Sequence, residues 1–198
     1  VSWEKKGALS KIDIKKAAFG FRDGLTNSDT LVNEMEQTEI IQNFFQDLNI
    51  MNGTAMMEKA KKIPNAKITQ SGIVIETLQE GKGGNPSPGG DVLAQYILMN
   101  SLGDTLQSSF DMMKMYNQPL NAFSLTGVVA GWQEGMPLMK KGGKYRLYIP
   151  FQLGWGEEGM FNPQSNSYDI QPYESIVFYI ELIDYGAPGT LTKKNTNR

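Results

Sequence analysis

In the first third of the chain, apolar positions recur at helical spacing. Ile40, Ile41, Phe44, Phe45 and Leu48 form a stripe on one side of a helix, and Leu31 and Met35 extend it backwards. Asn52-Gly53 supplies a stop signal, and a second short helix is expected over 54–62, ended by Pro64. The character changes at Gly72. Ile73-Val74-Ile75-Glu76-Thr77-Leu78 reads as a strand and leads into a Gly- and Pro-rich turn tract from Gly81 to Gly90. Residues 92–99 read as a second strand, 144–149 alternate cleanly up to Pro150, and 175–183 are nearly continuous in apolar residues, as a central strand is. One short helical candidate, 128–139, lies among them. Many strands with one short helix predict an antiparallel α+β domain. The expected division is a helical N-terminal segment over 1–66, the main domain over 67–186 and a flexible tail over 187–198.

Composition narrows the chemistry. With 198 residues, 40% hydrophobic and 20% charged, the chain suits a soluble domain of ordinary size plus an appendage. A net charge of −2 argues against nucleic acid as a partner. No run approaches the roughly 18 apolar residues of a membrane span. The chain opens at Val1 without a charged and then apolar leader, as expected of a processed or trimmed chain. Histidine and cysteine are both absent, which removes Ser-His-Asp and Cys-His nucleophilic machinery, Cys/His zinc sites and disulfides. No cofactor or metal is expected. The glycines of 81–90 sit between two strands with no helix following, so they are a poor phosphate cradle. Glu157 and Glu158 are adjacent in a loop and read as solvated, not as a glycosidase pair.

The informative feature is an ordered series of apolar and aromatic residues: Phe123-Ser-Leu125, Val128-Val129-Ala-Gly131-Trp132-Gln-Glu134-Gly135, Met139-x-x-Gly142, Arg146-Leu147-x-Ile149-Pro150, Gly154-Trp155-Gly156 and Ile176-x-Phe178-x-x-Glu181-Leu182. Singly, each aromatic is more often core than site. Together, over about residues 67–185, the series resembles the FKBP-type peptidyl-prolyl cis–trans isomerase domain. The entry Ser71-Gly72-Ile73-Val74, the strand ending in Tyr96 and the pair Ser108-Ser109 belong to the same resemblance.

The resemblance implies a curved antiparallel β-sheet wrapped around one short helix, with a proline slot between them. Carried over by position, it makes Tyr96, Trp132, Ile170 and Phe178 the catalytic residues, with Trp132 as the floor. Leu106, Gln107, Phe123, Val128, Val129 and Trp155 become the substrate-binding residues, and the Ile170 backbone N–H becomes a candidate donor to the substrate carbonyl. The family has Phe-Asp where this chain has Leu106-Gln107, and usually a tyrosine where Trp155 stands. The first change trades a carboxylate for a longer neutral amide; the second trades a hydroxyl for an N–H that only donates. The implied activity is isomerisation of X-Pro bonds in proline-containing polypeptide clients, and the implied small ligand is a macrolide. A noncatalytic proline- or client-binding module with a degenerate pocket is the alternative. An assembly protein working through its helical arm is a third reading.

Three further stretches bear on the reading. The Met112-Met113-x-Met115-Tyr116 stretch, read as a loop, either offers an adaptable surface to unfolded clients or fills gaps in the local core. The loop over 157–169, with Phe161, Pro163 and Tyr168, is expected to overhang the slot. Gly20-Phe-Arg-Asp23-Gly24-Leu25 and the helix after it resemble the helical domain of macrophage infectivity potentiator-type isomerases. That likeness implies a homodimer through the N-terminal helices and a bacterial envelope location, in the periplasm or lipid-anchored to it. The competing reading of the stripe is a helix that covers the main domain.

Overall fold

The structure, a computed structural model, describes residues 34–116 and 120–192. The Gly20–Leu25 motif, Leu31 and the last six residues lie outside them. The chain forms two compact units, Val1–Leu48 and Asn49–Arg198.

Helix α1 runs without a break over Glu34–Ala60. The expected stop at Asn52-Gly53 and the separate helix after it are therefore corrected to one helix. Gly53 serves packing instead: a β-carbon there would lie 2.8 Å from that of Ser175, so only glycine lets the helix backbone come this close. Pro64 follows the last turn, where it cannot continue the helix. Met56, Met57 and Ala60 share one face of α1 and are buried with Val74 and Val177 in a small cluster.

The sheet has seven strands among the described residues, all paired antiparallel. These are β1 (Lys67–Ile68), β2 (Val74–Gln79), β3 (Asp91–Asn100), β4 (Thr105–Ser108), β5 (Ala122–Ser124), β6 (Lys144–Ile149) and, last in sequence, β9 (Ile176–Gly186). The order is β1-β2-β6-β9-β3-β4, with β5 sharing the free edge of β3. A hairpin of β7 (Met160–Asn162) and β8 (Ser167–Ile170) occupies the stretch read as a loop over 157–169. Alternation sets the faces. In β6, Tyr145, Leu147 and Ile149 are buried and Lys144, Arg146 and Tyr148 turn outward. In β9, Ile176, Phe178, Ile180 and Leu182 point to the same core, while Val177 joins the cluster under α1.

The short helix α3 (Ala130–Gly135) and the 3-10 turn after it (Met136–Leu138) lie on the core side of the sheet. Gly131 and Gly135, four apart, face β6. A β-carbon at Gly131 would run into the Ile149 side chain, and one at Gly135 would lie 2.9 Å from Leu147 Cδ1. These glycines bring the helix down onto the sheet, and Trp132 between them becomes a buried wall of the core.

The methionine stretch is also corrected. It is helix α2 (Ser109–Tyr116), opened by the Ser108 hydroxyl, which accepts the Asp111 backbone N–H at 3.2 Å. At the C-terminal end, the first part of the expected tail is tied down. The buried Asp91 carboxylate accepts the backbone N–H groups of Leu191 and Thr192 at 2.9 and 3.0 Å, and the Thr192 hydroxyl at 2.9 Å.

Candidate functional site

Between α3 and the concave face of the sheet lies a cavity of about 300 Å³. It is lined by Tyr96, Gln107, Phe123, Gly127, Val128, Val129, Trp132, Trp155 and Phe178. They converge from several elements: Tyr96 from the middle of β3, Gln107 from β4, Phe123 from β5, Gly127, Val128 and Val129 from the entry to α3, Trp132 from α3 itself, and Phe178 from β9. Trp155 comes from the loop after β6. Such convergence of separate strands and loops on one concavity is the common setting of a small-molecule or side-chain site.

The aromatic rings brace one another edge to face. Trp132 has its ring centroid 5.1 Å from Phe178, 5.4 Å from Phe123 and 5.7 Å from Tyr96. Tyr96 meets Phe123 at 5.9 Å and Phe178 at 5.8 Å. Trp155 is tilted toward Phe178 at 6.5 Å and is only half-buried. Contacts in this range add to burial and fix ring orientation, so the walls are set before a ligand arrives.

Polar groups are few and placed. The Tyr96 hydroxyl donates to Gln107 Oε1 at 2.9 Å, and burial raises the Tyr96 phenol above its ordinary value. It therefore stays a neutral donor. Behind it, Ser109 Oγ accepts the Tyr96 backbone N–H at 2.8 Å and donates to Gln95 Oε1. Gln95 Nε2 in turn reaches Met113 Sδ at 3.3 Å. Trp132 Nε1 is buried with no hydrogen-bond partner among the described residues. Those residues hold no cluster of acidic side chains suited to a metal ion. Their helices include none long and apolar enough to cross a membrane.

Eight of the ten residues singled out in the sequence meet at this cavity. The other two do not line it. Ile170 is buried in the core beside it, and Leu106 stands exposed on β4 next to Gln107. Two contributors were not singled out. Gly127 lines the slot just before α3. Ser109 is the inner member of the serine pair and anchors the Tyr96 backbone, and a paired serine after a strand was its signal.

This aromatic slot under a Gly-Trp-x-Glu-Gly helix is the geometry the motif series implies. The family profile described as FKBP-type peptidyl-prolyl cis-trans isomerase matches residues 82–183, which span the slot from before β3 well into β9. The chain belongs to this family. It is a peptidyl-prolyl cis–trans isomerase acting on proline-containing polypeptides. Curated relatives agree. The chain is 37% identical over 112 residues to a probable FK506-binding protein of Corynebacterium glutamicum, covering 56% of this chain and 85% of that protein. It is 27% identical over 187 residues to the peptidyl-prolyl cis-trans isomerase Mip of Coxiella burnetii, covering 87% of this chain and 76% of Mip. It is 34% identical over 136 residues to the isomerase FkpA of Escherichia coli, covering 69% of this chain but 46% of FkpA. Among solved structures, an isomerase of Pseudomonas syringae superposes with a TM-score of 0.60 at 27% identity, covering 71% of this chain and 95% of that one.

Proposed function

We propose that the proline ring of an X-Pro bond seats on Trp132, enclosed by Tyr96, Phe123 and Phe178, with Val128, Val129 and Trp155 at the mouth. The barrier to be lowered is about 18–20 kcal/mol, because rotation about C–N breaks amide resonance. The planar amide is dipolar and water-stabilised, whereas the twisted transition state has lost resonance and carries less charge on oxygen. A dry aromatic slot therefore suits the twisted state better than the planar one. The reaction needs no proton transfer, so the residues act by shape and hydrogen bonding. The Ile170 backbone N–H and the Trp155 indole N–H are the donors assigned to the substrate carbonyl, and Leu106 is assigned to the client residues flanking proline. The carrying observation is the closed set of ring contacts around the cavity, with the one internal hydroxyl satisfied by Gln107.

A protease-coupled assay on a proline tetrapeptide tests this reading. The expected result is acceleration over the uncatalysed rate, lost with client binding in Trp132→Ala. Peptide binding without acceleration would convert the protein to the noncatalytic client module.

Three finer assignments belong to the same reading. The cavity takes a macrolide, tested by competitive inhibition of the coupled assay. The location is the bacterial envelope, as the likeness to Mip-type isomerases implies. The arm forms a homodimer, supported by Ile40, Ile41, Phe44 and Phe45, which are all exposed. Phe44→Glu with Phe45→Glu in the full chain then halves the mass in sedimentation; an unchanged mass removes the assignment.

A further inference from the structure

The Trp155 rim of the slot is held by one turn, and the last half of α1 grips that turn. Residues 171–175 join β8 to β9. Tyr173 sits there at a φ of 57°, a left-handed conformation that a bulky residue adopts only when its surroundings impose it. The surroundings are explicit. The Tyr173 backbone N–H donates to the Gly156 carbonyl at 3.0 Å, and its hydroxyl donates to Glu157 Oε2 at 3.1 Å. Its ring meets Phe151 edge to face at 5.3 Å. The turn is thereby fastened on both sides of Trp155, and it directly follows Ile170.

Two contacts from α1 complete the clamp. Asn49 Nδ2 donates to the Pro172 carbonyl at 2.9 Å, across 123 residues of sequence. Gly53, one helical turn later, lies against the Ser175 side chain. Ser175 Oγ accepts the Phe151 backbone N–H at 3.2 Å, which ties the start of the Trp155 loop to the same turn. None of these residues lines the slot.

We infer that Asn49 is a positioning residue for the isomerase reaction: by holding Pro172 it fixes the 171–175 turn, and through Tyr173 and Ser175 it sets Trp155 at the mouth. This rests on the isomerase reading for its kinetic consequence but not for its structural one. The floor, Trp132, is held by α3 and the sheet and does not depend on the clamp. Loss of Asn49 therefore moves the rim and leaves the floor in place.

The test uses the full chain labelled with 5-fluorotryptophan, which places one probe at each of Trp3, Trp132 and Trp155. Asn49→Ala removes the donor, and Asn49→Asp keeps the size but turns an acceptor toward the Pro172 carbonyl. Ala55→Ser, exposed on the same helix and not lining the cavity beside the turn, is the control. Both Asn49 variants are expected to shift the Trp155 fluorine line and leave that of Trp132 in place. They should lower kcat/KM about fivefold, the equivalent of one net hydrogen bond, with the change falling on KM. An unmoved Trp155 line with kcat/KM unchanged in both variants overturns the inference. So does a general loss, in which all lines move, the variants unfold, or kcat falls together with the melting temperature, because that reports a structural role only. If the parent chain itself fails to accelerate isomerisation, the functional reading falls, and the Trp155 line still decides whether Asn49 sets the rim.

Discussion

Gln107 stands where a carboxylate is usual in this family, and its longer side chain still reaches the Tyr96 hydroxyl at 2.9 Å. The acceptor has been kept while the charge is gone. Tyr96 is buried but Gln107 is exposed at the mouth, so water can partly replace the amide when it is removed. Gln107→Leu should then cost about 1 kcal/mol of unfolding free energy, nearer the net worth of a hydrogen bond than the penalty of a wholly stranded donor. In a Tyr96→Phe background the same substitution should cost almost nothing, since no hydroxyl remains to be satisfied. A denaturant-unfolding cycle over the four proteins measures the difference; equal costs in both backgrounds would show that the pair is not coupled. The other departure, Trp155, cannot make the hydroxyl bond of a tyrosine and is held instead by its tilt against Phe178 and by the loop that carries it.

Among elements, α3 and β6 show how tightly the slot is built. Gly131→Ala would push a methyl into the side chain of Ile149, which is fully buried and has nowhere to move. Overpacking of this kind costs about 1–3 kcal/mol, and lifting α3 also lifts Trp132. Thermal unfolding should show the lower midpoint, and the coupled assay a loss of rate larger than that of an Ala130→Ser control on the exposed face. The pair Gly131 and Gly135 was legible in the sequence as part of a motif, and so were β2, β3, β6 and β9, whose alternation or continuous apolar runs record their faces. Other elements left weaker traces. The continuity of α1 through Asn52-Gly53 was hidden because a glycine that permits close packing looks the same as one that ends a helix. Helix α2 was hidden because it is short and its apolar residues are mostly clustered methionines, and its cap is one hydroxyl of a serine pair already read as motif. The β7–β8 hairpin is short and largely exposed, so burial left no alternation to find. Ile170 was placed by motif at the slot, yet its side chain went to the core, which a motif of backbone function does not disclose.

At the scale of the whole molecule, the sheet is covered twice: α3 and the aromatic slot on its concave side, Met56, Met57 and Ala60 of α1 on the other. The returning chain is pinned at the start of β3, and Asp91 is what holds it. Its carboxylate is fully buried; burial alone would raise it, but the backbone N–H groups of Thr192, Leu191 and Gly189 and the Thr192 hydroxyl outweigh that and lower it from 3.8 to about 2. A carboxyl held lower in the folded state than in the unfolded one contributes stability above its unfolded value and loses it as pH falls through the folded one. This contribution is therefore complete above about pH 4 and disappears between 3.8 and about 2. Asp91→Asn tests the assignment at both ends. The amide keeps an oxygen for the tail, but its NH2 replaces Oδ1, which is buried without a hydrogen-bond partner among the described residues. A buried donor without an acceptor costs about 1–3 kcal/mol, so the variant should be less stable at neutral pH. Its hydrogen exchange should rise at Leu191 and Thr192 while β9 stays protected. Toward pH 2 the gap between parent and variant should close, because the parent then carries a neutral acid at the same place. A gap that stays constant from neutral pH to pH 2 would mean that the charge of Asp91 does not hold the C-terminal segment.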